Sequence, residues 1–166
     1  MVSCKFTKDY TKFKPTIDDW FNDECMADDE SCYMAGETIE LLERVNRELS
    51  GESEWFIQAE HDARMDELKN VNLIECDDEL VGYMKYKEWY PEDGMDVIYT
   101  EELFIHPDSR KKGYGVWAVK EAFKQSGAKR MTGNSLHQAQ TFWKGLGAWM
   151  SPYEIQGKRV FKIDYY

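Results

Sequence analysis

The segment Leu103-Phe104-Ile105-His106-Pro107-Asp108-Ser109-Arg110-Lys111-Lys112-Gly113-Tyr114-Gly115 concentrates the residue types that hold an anion. Gly113 and Gly115 remove side chains where backbone N–H groups converge at a helix start. Such an end offers unpaired donors and a partial positive charge. Arg110, Lys111 and Lys112 set three cations beside it. A pyrophosphate would suit this cradle. The spacing is not that of a Walker A loop, which closes on Gly-Lys-Ser/Thr, nor of the three-glycine dinucleotide fingerprint. Just upstream, Glu101 and Glu102 form a tandem of acids between Ile98 and Ile105. Adjacent strand residues point to opposite faces of a sheet, so at most one of the two serves a given pocket. Their chemistry suits proton transfer.

Other chemistries find little support. The three histidines, His61, His106 and His137, have no ligand spacing, and no metal is expected. Cys4, Cys25, Cys32 and Cys76 are scattered without a Cys-x-x-Cys pair. They read as reduced thiols of a cytoplasmic protein. The start, MVSCKFTKDYTKFKP, has no apolar core of a signal peptide, and no 18-residue apolar run spans a membrane.

The elements that must position the loop follow from periodicity. A short strand is expected at 2–7, then a helix begun at Pro15–Asp19 with Thr16 as N-cap. Ile39, Leu42, Val45 and Leu49 mark the inner face of a second helix, with Glu40/Arg44 and Glu43/Arg47 as i,i+4 pairs, ending near Gly51. A third helix is read over 54–68, with Phe56, Ala59 and Ala63 inward. Strands follow at 71–76 and 80–89, a turn at Pro91–Gly94, and a strand at 97–106. A helix over 113–125 turns Val116, Val119, Ala122 and Phe123 inward. Then come a strand at 130–133, a helix over 137–146, and strands at 149–154 and 159–165 around Gln156-Gly157. The order predicts a mixed α+β fold: a mostly antiparallel sheet of six to seven strands, with one parallel crossover and helices flanking it. With no linker or repeat, residues 1–166 read as a single domain.

Charge divides the chain. The total of 21 Lys+Arg against 32 Asp+Glu gives a net charge of −11 over 166 residues. Residues 1–107 carry 28 acids and ten bases, a net of −18, whereas residues 108–166 carry four acids and 11 bases, a net of +7. An acidic total argues against a nucleic-acid binder, which needs clustered cations. Apolar residues at 42% exclude a disordered chain.

The loop resembles the acetyl-CoA motif [Gln/Arg]-x-x-Gly-x-[Gly/Ala] of the GCN5-related N-acetyltransferase (GNAT) superfamily, matched in full by Arg110–Gly115. A second family segment is echoed by Ala139-Gln140-Thr141-Phe142-Trp143-Lys144-Gly145-Leu146-Gly147-Ala148. The resemblance covers about residues 70–165, leaving 1–68 as a variable, helical acceptor-side region. It implies a three-layer fold with a splayed parallel strand pair and acetyl-CoA in the gap. The pantetheine would lie along Leu103, Phe104 and Ile105, and the pyrophosphate at Arg110, Lys111, Lys112, Gly113, Tyr114 and Gly115. Asn134, Phe142 and Lys144 would complete the cofactor contacts. It implies direct transfer of the acetyl group to a primary amine, with Glu101 as water-mediated base and Glu102 as acceptor contact.

Two positions depart from the family pattern. Trp143 stands where a tyrosine acid is usual, and an indole N–H releases no proton near neutral pH. Tyr114, Tyr153, His137 or a water could substitute, or the CoA sulfur leaves as thiolate unaided. Leu136 replaces an asparagine, with Asn134 two residues earlier. Acids at 18, 19, 23, 24, 28, 29 and 30, and at 92, 93 and 96, suggest a rim that draws in a cationic acceptor such as a polyamine, an aminoglycoside or a lysine side chain. Trp89, Tyr90 and Trp149 would stack on it. Self-association as a homodimer is left open. The alternative is a GNAT-fold module that binds acyl-CoA without turnover, which Trp143 favours.

Overall fold

A computed structural model describes residues 2–23 and 30–165, with side chains from 34 onward in the second stretch. Glu24, Cys25, Asp28 and Asp29, and the side chains of Glu30 and Cys32, lie outside the described residues. Seven strands hydrogen-bond in the order β1-β2-β3-β4-β5-β7-β6. The chain divides into two compact units, Met1–Tyr83 with Phe104–Arg110, and Met84–Leu103 with Lys111–Tyr166.

In the first unit, β1 (Cys4–Thr7) pairs antiparallel with β2 (Val71–Cys76). Helix α1 (Lys14–Asn22) grows directly out of a 3-10 turn over Thr11–Phe13. Its N-cap is therefore Phe13 rather than Thr16. Pro15 sits in the first turn, where a missing N–H costs nothing. Helix α2 spans Glu30–Leu49. Ile17 and Trp20 from α1, Ile39, Leu42 and Val45 from α2, Val71 and Leu73 from β2, and Tyr83 and Phe104 form one apolar cluster. Leu49, expected inward, is 48% exposed.

Helix α3 begins later than its sequence suggests, at Gln58–Glu67, and buries none of its residues. Phe56, Ala59 and Ala63 are exposed. The helix is tethered by polar contacts that periodicity does not register. The buried Glu48 receives hydrogen bonds from Arg64, one at Nε of 2.9 Å, and pairs with His61 Nδ1 at 3.2 Å.

The expectation of four reduced thiols fails for Cys4 and Cys76. The β1–β2 register sets them opposite each other, and they form a disulfide across 72 residues of sequence. Next to it, the buried Glu75 carboxylate pairs with Lys5 at 3.1 Å and Lys12 at 2.6 Å.

Strands β3 (Glu79–Glu88) and β4 (Val97–Ile105) lie side by side. At one end Trp89 N–H donates to Val97 O at 2.9 Å; at the other His106 N–H donates to Val81 O at 2.8 Å. Eight steps along β3 thus span nine along β4, so β4 carries one extra residue, a bulge. Gly82 accommodates the consequence. A Cβ there would lie 2.0 Å from the Phe104 carbonyl oxygen.

The second unit holds α4 (Tyr114–Ser126), β5 (Arg130–Leu136), α5 (Gln140–Gly145), β6 (Trp149–Met150) and β7 (Lys158–Asp164). β5 runs three residues further than expected because it pairs with β7 along its whole length. The helix read over 137–146 splits into a 3-10 turn at His137–Ala139 and α5. β6 stops at Met150, short of the expected Glu154.

Candidate functional site

Strands β4 and β5 are parallel, with register Val97↔Arg130 through Thr100↔Gly133. The pairing ends there, although β4 continues through Glu101, Glu102 and Leu103. β5 turns wholly to β7 beyond that point. A gap therefore opens past Thr100. Gly133 holds its vertex tight, since a Cβ would meet Thr100 O at 2.8 Å and the Phe161 ring at 2.8 Å.

At the start of α4, Gly113 is the N-cap in the left-handed conformation, with φ +83°. A Cβ there would meet nothing within 4 Å. Backbone conformation, rather than crowding, demands the glycine. Lys111 is also left-handed, at φ +62°. Trp117 N–H makes the first helical bond, to Gly113 O at 3.0 Å. The N–H groups of Tyr114, Gly115 and Val116 have no acceptor within the helix. Lys111 and Lys112 are exposed beside them.

Other expected cofactor residues are placed as follows. Leu103 is half-buried on β4, whereas the Phe104 side chain belongs to the first unit's core, so only its backbone is on offer. Also in that unit, Arg110 Nε donates to Ile105 O at 2.9 Å. Phe142 packs edge-on against Trp143 at 4.9 Å, and Lys144 is exposed on α5. Trp143 is buried, stacked on Phe161 at 3.9 Å. Phe123 of α4 meets Tyr165 at 5.2 Å. Phe161 and Tyr165 share parity on the C-terminal strand and its extension, so both helices of this unit cover one face of its sheet.

The other face carries a polar and aromatic group that the sequence reading missed apart from Glu101, Asn134 and Trp89. The Glu101 carboxylate is held between Lys85 at 3.1 Å and Lys87 at 3.0 Å. Burial raises the Glu101 carboxyl. Hydrogen bonds from Lys87 and Lys85, with their charge, more than offset this and leave it below the usual carboxylate range. Lys87 Nζ lies 5.5 Å from the Trp89 ring centre and 5.9 Å from that of Tyr99, and the two rings are 4.8 Å apart. Asn134 Nδ2 donates to the Tyr99 hydroxyl oxygen at 2.8 Å. The signal was present as alternation: Lys85 and Lys87, and Tyr99 and Glu101, each stand two apart on neighbouring strands. Glu102 is half-buried.

The acidic loop before β4 is not a free rim. Glu92 pairs with Lys162 at 2.9 Å and Arg130 at 3.3 Å, and Asp93 pairs with Arg130 at 3.0 Å. Arg130 also meets Asp164 at 2.6 Å. Hydrogen bonds from Lys162 and Arg130 hold the Glu92 carboxyl below its ordinary range. Trp149 is 55% exposed and, with Arg130, Gly147, Lys162 and Asp164, lines a shallow cavity of about 230 Å³. His137 and Tyr153 are both exposed, His137 pairing with Glu154 at 3.3 Å.

The family model described as "Acetyltransferase (GNAT) family" matches residues 16–148. The chain belongs to the GNAT acetyltransferases. No curated protein sequence matches it. Among solved structures, this GNAT chain is similar to an acetyltransferase from Thermus thermophilus, with TM-score 0.63 and 17% identity over 98% of this chain and 97% of the other. It is also similar to the PaiA N-acetyltransferase of Thermoplasma acidophilum in complex with coenzyme A, with TM-score 0.57 and 12% identity over 98% and 99%. Arabidopsis thaliana Naa50, in complex with the bisubstrate analogue CoA-Ac-MVNAL, gives TM-score 0.52 and 14% identity over 99% of each chain. At these identities the likeness is one of fold.

Proposed function

We propose that this GNAT protein transfers the acetyl group of acetyl-CoA to a primary amine of a cationic acceptor by direct attack. The observation that carries the reading is the left-handed Gly113 cap, which leaves three helix N–H donors and two lysines beside the opening between β4 and β5. The pyrophosphate sits on that cap, and the pantetheine pairs with β4 backbone freed beyond Thr100. Phe142 and Lys144 lie on the cofactor side. Glu101 is ionised. A carboxylate has about four acceptor sites, and its two lysine contacts leave room for a water that takes the amine proton. The acceptor's cationic character rests on the net charge of residues 1–107, since the loop acids Glu92 and Asp93 are already paired.

The test is calorimetric binding of acetyl-CoA to wild type and Gly113→Glu, with CoA release followed over spermidine, an aminoglycoside, amino acids and lysine peptides. The wild type should bind and release CoA, and the variant should bind at least tenfold more weakly. Tight binding with no acceptor-dependent release would instead indicate an acyl-CoA-binding module. Failure of the wild type to bind would refute the site.

A further inference from the structure

We propose that Tyr99 is the proton donor to the departing thiolate of CoA, positioned by Asn134; this rests on the acetyl-transfer reading above. Thioester cleavage leaves a sulfur anion that a nearby acid can protonate. Trp143 occupies the family's usual acid position, is buried against Phe161 on the helix-covered face, and has no proton to release. Glu101, ionised between two lysines, has none either.

Tyr99 stands where an acid is needed. It lies one residue before the last β4–β5 pair, Thr100↔Gly133, and Asn134 lies one residue after it. The two side chains meet over the point where the strands part. Because Asn134 Nδ2 donates to the Tyr99 oxygen at 2.8 Å, that oxygen acts as acceptor in this bond. Its own hydrogen is not used in this bond. The ring is fixed by Trp89 at 4.8 Å. The hydroxyl is therefore held, with its hydrogen left to give, on the sheet face that also carries Glu101.

The step balances. The acceptor nitrogen, as the neutral amine, forms a bond to the thioester carbonyl carbon, and the carbon–sulfur bond breaks with its electron pair going to sulfur. Sulfur takes the Tyr99 hydroxyl hydrogen. The attacking nitrogen loses its proton to the water held by Glu101, and that water returns a proton to the phenolate. One amide and one thiol result, with no net gain or loss of protons.

Tyr99→Phe removes one oxygen and preserves the ring contact with Trp89. With acetyl-CoA and any acceptor active for wild type, it should bind acetyl-CoA within twofold of wild type. Its kcat should fall about 100-fold, within the range of general acid catalysis. The alkaline fall in the wild-type pH–rate profile should disappear. Asn134→Ala should lower kcat about tenfold and shift that alkaline limb, as expected of a positioning residue. Circular dichroism checks that both variants fold. If wild type turns over and Tyr99→Phe keeps its kcat within twofold, or loses kcat only in proportion to acetyl-CoA binding, the proposal is wrong. If wild type releases no CoA with any acceptor, the acetyl-transfer reading falls first and takes this role with it.

Discussion

The two units use their polar groups differently. In the first, buried acids serve the fold: Glu75 is clasped by Lys5 and Lys12, and Glu48 by Arg64 and His61. A disulfide closes the strand pair beside Glu75. In the second, the acid–base pairs lie on a sheet face that its own helices leave uncovered. There Lys85, Lys87, Glu101, Tyr99 and Asn134 touch one another and remain half-exposed or exposed. Similar residue types are buried within the first unit and stay accessible on the face that the second unit's helices leave bare. The lesson is that an ion pair's role depends on which face of a sheet carries it.

Removing the disulfide should separate the units most sharply. Cys4→Ser with Cys76→Ser releases a 72-residue loop and should cost up to about 4 kcal/mol in denaturant unfolding. Well below the melting temperature, acetyl-CoA affinity should stay within twofold. A matching loss of affinity would show that the second unit depends on the first. Gly82→Ala places a Cβ against the Phe104 carbonyl and should cost about 3 kcal/mol, again read by denaturant. A neutral result would mean that β4 lacks its extra residue.

The smallest effect concerns acid. The Glu75 carboxyl lies below its ordinary range, chiefly through its hydrogen bond from Lys12, and that of Glu48 through Arg64. A depressed carboxyl stabilises the folded state above its unfolded pKa, about 4.3, and loses this as pH falls through the folded value. The melting temperature should thus be level from neutral pH to about 5 and drop below about 4. In Glu75→Gln that drop should be shallower. An unchanged slope would remove Glu75 from the explanation.

Much of the site was legible because it is local. A glycine at a left-handed helix cap, two residues before a second glycine and after three cations, depends on neighbours within six positions. The strand order followed from alternation and turn residues, and the acidic tandem was visible at once. The misreadings share a cause in long separation. Arg130 reaches Glu92 and Asp93 from 38 and 37 residues away, so the loop acids looked free. Helix α3 looked buried on the wrong inner face because, beside Met65 packed on the core, it is held through a buried glutamate on another helix. The cysteines looked unpaired because only strand register sets Cys4 against Cys76.

The sequence by itself determined the glycine cap with its flanking cations, the kinds of element and the acidic-to-basic division, since each depends on backbone preference or composition within a short span. Tertiary structure decided what those residues do. Pairing register placed Asn134 on Tyr99 and two lysines on Glu101. The bulge in β4 required a glycine on the neighbouring strand. Packing turned Trp143 into a core plate rather than an acid. Register and packing are set by the whole sheet, and a residue's own neighbours in sequence carry no record of them.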